Sequence, residues 1–378
     1  MALINYLTKI QFDHGAVSLL ANELEELGVN APMIVTDSGV RDAGLLDPVL
    51  NSNQSRSDWA VFDETPGNPT EAAVESALNH YMEHQCDGLI ALGGGSSIDL
   101  AKGVALLSTH RPPLEQYAAI LGGVERITSN IIAPVIAIPT TAGTGSEVGR
   151  AALITLRDGR KLAFLASDMI PNVAICDPDM TLGLPPDLTA STGMDALTHC
   201  IETFLSPRVN PPADAIALDG VGRAMRNIER VVKDGSDRDA RWNMMMASLQ
   251  GGMTFQKGLG AVHAMSHPLG GLAKPVLHHG TLNAVILPAV LRFNADHTGD
   301  KYDGLRHAMG LAPGADVATA IEDLNYSLGL PANLKDMGVT DSVLPRMVAG
   351  AVADHSTPSN PRFADAEAYE HLFAEVMD

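Results

Sequence analysis

The chain has 378 residues, of which 46% are hydrophobic, enough to bury a large core and to divide into about two domains. A formal net charge of −20 argues against nucleic acid or an anionic membrane as a partner, because phosphate contacts need clustered Lys and Arg. Three scattered cysteines, Cys86, Cys176 and Cys200, make neither a disulfide framework nor a thiolate zinc site and suit a reducing cytoplasm.

The N-terminal stretch MALINYLTKIQF has no basic region, long apolar core or small-residue cleavage site, so it does not read as a signal peptide, and no apolar run reaches membrane-spanning length. GAVSLLANELEELG (15–28) reads as a helix closed by glycine, APMIVTDSG as a strand and turn, and DWAVFDE as a second strand. A helix is expected from Thr70 through Tyr81, and CDGLIAL is a buried strand that enters GGGSS. Further strands fall at 135–139, 151–156, 161–165 and 173–177. Asp158-Gly159 between the middle pair predicts a primed-turn hairpin, appended antiparallel to a parallel sheet.

This alternation predicts a Rossmann-like α/β domain over residues 1–184. After Pro185-Pro186 only helical periodicity remains, over 187–205, 212–232, 238–256, 258–272, 279–296, 315–329, 341–352 and 365–377. Residues 185–378 are therefore expected to form an all-helical domain.

Two glycine-rich turns follow strands. In GGGSSIDLAKG, the bare backbone at Gly93, Gly94 and Gly95 can approach a pyrophosphate at a helix N-terminus. The competing reading is a plain helix cap, with Ser96 and Asp99 as a capping-box pair. PTTAGTGSE (139–147) packs hydroxyls and glycines into a turn able to line a cofactor. Asp37 stands where a carboxylate could accept from a ribose 2′-hydroxyl and repel a 2′-phosphate, which favours NAD over NADP, unless it only makes an Asx turn before Gly39.

Asp195 and His199 are four apart in an apolar-periodic stretch, so on a helix both project from one face; His263 and His267 repeat the spacing. His278 or His279 follows in a loop whose Gly280 permits a close turn. One carboxylate and three imidazoles suit Fe(II) or Zn(II), with room for a substrate oxygen. A lone histidine on an apolar face is more often a hydrogen-bonded core residue. Two such pairs and a His-Gly loop in one span outweigh that reading, and a buried Asp195 without a cation would be costly.

With these pieces in place, GGGSSIDLAK (93–102), PTTAGTGSE, CDPDMTLGLPP (176–186), GMDALTHCIE (193–202) and HAMSHPLGG (263–271) followed by HHG resemble the iron-containing (group III) alcohol dehydrogenase family along nearly the whole chain. The resemblance implies a dehydroquinate synthase-like architecture with a catalytic divalent metal in the cleft between the two domains, and a homodimer or larger assembly. It implies Asp195, His199, His263 and His279 as ligands, the last chosen over His278 by its following glycine. His267 would lie beside the nicotinamide and substrate. Cofactor contacts would come from Asp37, Asn68, Gly94, Gly95, Ser96, Asp99, Thr140, Thr141, Thr144, Ser146 and Lys161. The implied cofactors are NAD and Fe(II), with Zn(II) accepted by the same ligands. VFDETPGNPTEAAV, NPPADAIALDG, DRDARWNMM and FQKGLG are similar to members of the family that act on 4-hydroxybutyrate.

The reading predicts reversible hydride transfer between a primary alcohol and NAD, the metal lowering the pKa of the alcohol and His267 passing its proton outward. A far carboxylate on the substrate would need a cation; Arg150 and Lys257 are the candidates, against the commoner state of a solvated charge. A phosphate-handling lyase or cyclase of the same architecture would show more cations near the metal loop than Lys257 and Lys274. A hydroxyacid-oxoacid transhydrogenase would keep its cofactor bound. A metal-stabilised binding protein would leave the glycine loop without purpose.

Overall fold

The computed structural model describes residues 8–52 and 59–378. Residues 1–7, on which most of the N-terminal reading rests, and Asp58, the first residue of DWAVFDE, lie outside the described residues. Among the described residues, chain contacts divide the protein into an α/β unit, residues 8–52, 59–141 and 146–183, and a helical unit, residues 184–378 with 142–145. By these contacts residues 142–145 and Leu184 group with the helices, against the expected bound at residues 184/185.

The α/β unit holds β1 (Lys9–Phe12), α1 (Leu20–Leu27), β2 (Pro32–Val35), α2 (Ser38–Asp42), α3 (Leu46–Asn51), β3 (Ala60–Phe62), α4 (Glu71–Glu83), β4 (Gly88–Gly93), α5 (Gly95–Leu107), β5 (Val135–Pro139), β6 (Ala151–Thr155), β7 (Lys161–Leu165) and β8 (Val173–Cys176). Among the described residues one sheet runs β1-β8-β5-β4-β2-β3, every pairing parallel. Its central strands are continuous apolar runs because both faces are covered. Along them side chains alternate: Met33, Val35, Leu89 and Ala91 join Val74, Leu100 and Val104 from α4 and α5. Ile34, Ile90, Leu92 and Ile138 face the other way, toward Leu20, Leu24 and Val49. Thr70 caps α4 by accepting from Ala73 N at 3.2 Å.

Four features differ from the sequence reading. β1, a four-residue run with no turn signal before it, pairs with β8 at the sheet edge and was not foreseen; nor were the short helices after Asp37. Hairpin β6–β7 forms its own two-stranded sheet instead of extending the parallel one. Lys102 on α5 explains this: its buried Nζ donates to Ser146 O, Ser146 Oγ, Gly149 O and Ala151 O at 2.7–2.9 Å. Asp99, one turn earlier, accepts from Leu153 N at 2.9 Å, so α5 takes the edge of β6. The turn is also not a primed one. Leu156 N donates to Arg160 O, Gly159 N donates to Leu156 O, and only Gly159 has positive φ (+82°), so Asp158 is not left-handed and the extra residue makes a three-residue loop.

Burial pushes the Glu147 carboxyl up to about 7 and lowers the neighbouring Lys102 to about 8. A carboxyl raised in the folded state contributes stability that is complete below its unfolded value of 4.5 and lost as pH rises through about 7. Glu147→Gln is therefore expected to raise the melting temperature near pH 8, through a stabilisation on the order of 3 kcal/mol, and to change it little near pH 5; melts at the two pH values check this.

The helical unit comprises α6 (Pro186–Leu205), α7 (Pro211–Lys233), α8 (Arg238–Met253), α9 (Ala261–Gly270), α10 (His279–Asn294), α11 (Lys301–Met309), α12 (Val317–Ser327), α13 (Leu344–Ala353) and α14 (Ala366–Met377). α11 lies between the expected helices 279–296 and 315–329, where the sequence pattern predicts none. The central helix is α6, buried from Thr189 through Leu205. Its C-terminal carbonyls are met by cations: Lys301 Nζ donates to Phe204 O and Ser206 O at 2.7 Å, and Lys257 Nζ to Phe204 O at 3.1 Å. No described helix is long and apolar enough to cross a membrane.

Candidate metal centre and active site

Within the helical unit, α6 supplies Asp195 and His199, α9 supplies His263 and the first residue of α10 is His279. One donor atom from each lies within 4.8 Å of the others. Asp195 Oδ1 is 3.7 Å from His199 Nε2, 3.9 Å from His263 Nε2 and 3.7 Å from His279 Nε2. Donors of a four-coordinate ion with bonds near 2.1 Å stand about 3.4 Å apart, so a small inward adjustment completes the set. α10 can bring His279 this close because Gly280 carries no side chain: a Cβ there would stand 2.2 Å from Ser191 O on α6.

The imidazoles are also aimed. His199 Nδ1 lies 3.1 Å from Gly143 O, which can only accept, so Nδ1 carries the proton and Nε2 the lone pair. His263 Nδ1 lies 2.5 Å from Glu202 Oε2, and Glu202 Oε1 accepts from Val262 N at 2.8 Å. Burial drives the Glu202 carboxyl up to about 7, against the backbone N–H groups that stabilise its charge, and drives the His263 imidazole well down. Asn283 Nδ2 lies 2.7 Å from Asp195 Oδ1 and 3.2 Å from both His263 Nε2 and His279 Nε2, while its Oδ1 is buried with no partner. Two amide hydrogens thus face three lone-pair atoms, a donor set that fits a small divalent cation. Glu202→Gln, which keeps the shape but removes the charge behind His263, should weaken metal binding about 10- to 100-fold in a competition titration.

His267, one turn beyond His263, stays outside this quartet. Its Nδ1 lies 2.8 Å from Asp354 Oδ2, and its Nε2 is buried without a partner. The ring is 5.7 Å from those of His263 and His279. His278 is the N-cap residue of α10, beside Thr281 at 3.4 Å, and is not among the four clustered residues.

In the α/β unit, α5 begins at Gly95 with Gly94 as its cap residue and no side chain on its first N–H groups. The capping-box pair does not form: Ser96 Oγ donates to Gly67 O at 2.7 Å, and Asp99 accepts from Ser146 Oγ at 2.6 Å. A helix N-terminus without a side-chain cap is a place where an anion can be received. Beside Gly94 lies Thr141, whose Oγ1 is buried with no partner, and Thr140 N donates to Gly93 O. Asp37 makes the Asx-type cap of α2, accepting from Val40 N at 3.0 Å, with its other oxygen 3.4 Å from Ser97 Oγ. Lys161 Nζ donates to Asn68 Oδ1 at 3.1 Å. Asp37, Asn68, Gly94, Gly95, Ser96, Thr140, Thr141 and Lys161 thus fall in this unit's loops, strand ends and the first turn of α5. Asp99 and Ser146 stand in the Lys102 network, Ser146 Oγ donating to Asp99 and accepting from Lys102 Nζ. Thr144 falls in the 142–145 segment of the helical unit.

The two cation candidates do not fare alike. Lys257 is fully buried, paired with Asp214 and bound to the end of α6, so it is not available to a substrate carboxylate. Arg150 is exposed in the α/β unit. Sequence reasoning missed Glu202, Asn283 and Asp354. Glu202 had a signal, a carboxylate three residues after His199 on the same buried helix. Asp354 had none, standing 87 positions from His267.

A cluster of three imidazoles and one carboxylate able to hold a divalent ion, in a chain whose other unit carries a glycine-rich turn opening a helix beside a parallel sheet, fits a metal-dependent dehydrogenase. The profile described as "Iron-containing alcohol dehydrogenase" matches residues 8–178, and that of the "Fe-containing alcohol dehydrogenase family, C-terminal" matches residues 189–377. The 4-hydroxybutyrate dehydrogenase of Cupriavidus necator is 56% identical over 384 aligned positions covering 100% of each chain. A crystal structure of 1,3-propanediol oxidoreductase matches with a TM-score of 0.93 at 35% identity, covering 100% of both chains. Sulfoacetaldehyde reductase from Bifidobacterium kashiwanohense, in complex with NAD+, matches with a TM-score of 0.89 at 26% identity, covering 100% of this chain and 99% of the other. The chain belongs to the iron-containing alcohol dehydrogenase family. It is an NAD-linked oxidoreductase acting on an alcohol or aldehyde, and its cofactors are NAD(H) and iron.

Proposed function

We propose that the substrate pair is 4-hydroxybutyrate and succinate semialdehyde, and that Asp195, His199, His263 and His279 hold the metal. The observation that carries the metal reading is the inward aim of the lone pairs, fixed for His199 by Gly143 O and for His263 by Glu202. The substrate rests on the full-length 56% identity to the Cupriavidus enzyme. When bound, the metal supplies Lewis-acid polarisation of the alcohol oxygen and the nicotinamide accepts the hydride.

The chain's own residues do the rest. Backbone N–H groups at Gly95 and Ser96 receive the pyrophosphate, and Thr141 Oγ1 offers a hydroxyl beside them. Asp37 meets the ribose, as its place after β2 requires for NAD. His267 Nε2, buried and unpartnered, takes the hydroxyl proton. Residues 1–184 are the cofactor-binding domain and 185–378 the metal-binding one, with 142–145 going with the latter. The protein acts in the cytoplasm as a homodimer or larger assembly, and its three cysteines, none in a disulfide, accord with that compartment.

The experiment is anaerobic reconstitution with Fe(II), Zn(II) or Mn(II), scanned over ω-hydroxy acids and plain alcohols by nicotinamide absorbance. Highest kcat/KM for the four-carbon hydroxy acid is expected; a clear preference for uncharged alcohols would overturn the substrate. Arg150→Ala should lower that preference if Arg150 is the carboxylate's cation, and an unchanged preference removes it.

A further inference from the structure

We propose that Asp354 is a positioning residue for the reaction, holding His267 in the tautomer whose Nε2 receives the substrate's hydroxyl proton. The inference rests on the reading of His267 given above and extends it to a residue 87 positions away.

Three observations meet on this pair. The His267 ring is nearly buried, at 4% side-chain exposure, with Nδ1 2.8 Å from Asp354 Oδ2 and Nε2 buried and unpartnered. The ring plane is fixed from both sides: His279 stacks on it at 5.7 Å and 6°, His355 at 5.4 Å and 12°. Asp354 is itself anchored, its Oδ1 accepting from Ser356 N at 2.8 Å and lying 3.5 Å from His355 Nδ1. With Oδ1 taken up by Ser356 N, Oδ2 is the oxygen left facing His267 Nδ1. An ionised carboxylate only accepts, so Nδ1 keeps the proton and the lone pair stands on Nε2.

In alcohol oxidation the carbinol C–H bond breaks, with its electron pair leaving as hydride to the nicotinamide. The O–H bond breaks, its proton forming an N–H bond at His267 Nε2, and the carbonyl forms. Asp354 remains ionised throughout and balances the imidazolium. In reduction the proton returns along the same bond.

Asp354→Asn is the decisive substitution. The Ser356 N–H keeps the amide oxygen in the place of Oδ1, so the amide nitrogen faces His267 Nδ1 and donates to it, moving the ring proton to Nε2. Expected is a fall in kcat of about 10²- to 10⁴-fold, with KM for the alcohol and the metal content of the purified enzyme unchanged. His267→Phe should fall to a similar level, and the double variant no further. In Asp354→Ala, added formate or acetate should restore part of kcat, which a purely structural role would not allow. The proposal is overturned if Asp354→Asn keeps wild-type kcat while His267→Phe is inactive, if the two losses multiply, or if Asp354→Ala folds, holds its metal and shows no rescue. Wild-type kcat in His267→Phe would sink the role given to His267 itself, and the present inference with it.

Discussion

Asp195→Ala is expected to leave the protein unable to retain metal through dialysis and to lower turnover by more than the about 10- to 100-fold that follows the loss of a ligand's supporting partner. The residue is the common point of the centre: its Oδ1 is within 3.7–3.9 Å of all three imidazole nitrogens. Without it, the buried imidazoles of His199 and His263 and the half-buried one of His279 face one another with no anion among them, and a divalent charge there goes uncompensated. Metal content by elemental analysis, beside kcat with excess Fe(II) or Zn(II), is the check. Full metal retention in Asp195→Ala would show that the four residues are not the metal centre.

The second large effect is expected at Gly280. A Cβ there would stand 2.2 Å from Ser191 O, 2.8 Å from Ser191 C and 3.3 Å from Asp195 Cβ. The first two atoms are backbone of α6, so no side chain can swing away. Gly280→Ala must push the first turn of α10 off α6, and His279 rides on that turn. Overpacking of this kind costs about 1–3 kcal/mol, and the fourth ligand leaves its place. A lowered melting temperature together with weakened metal binding is the expected pair of results. Full affinity with only the melting temperature lowered would mean that His279 moves independently of its backbone.

Much of the architecture can be read from the residues because it rests on periodicity. GLIALG and VIAIP are apolar without interruption because β4 and β5 are covered on both faces. Most helices after Pro185 show their buried stripes every three to four residues, while α6 is buried all round. Asp195 with His199 and His263 with His267 are visible because a helix turns a spacing of four into one face. What stays hidden is what depends on distant partners or on main chain. KIQF carries no mark of a strand until β8 lies beside it. Lys257 looks like any cation near a motif, and only the fold shows it closing the end of α6 beside Asp214. Ser96 and Asp99 have capping-box spacing, but Lys102 and Ser146 draw Asp99 into another network. Glu202 was in plain view within GMDALTHCIE, yet its task is set by His263, which is 61 positions away.

The two best-aimed imidazoles of the centre differ in their vulnerability to mutation. Gly143 serves His199 through a peptide carbonyl, an atom every amino acid possesses, so no codon change at that position deletes the acceptor and only a shift of the main chain can withdraw it. His263 depends on a carboxylate that a single base change can erase. A random mutagenesis screen for metal-deficient variants should therefore recover Glu202 as a recurrent hit, and should reach the support of His199 only through changes that deform the 142–145 turn.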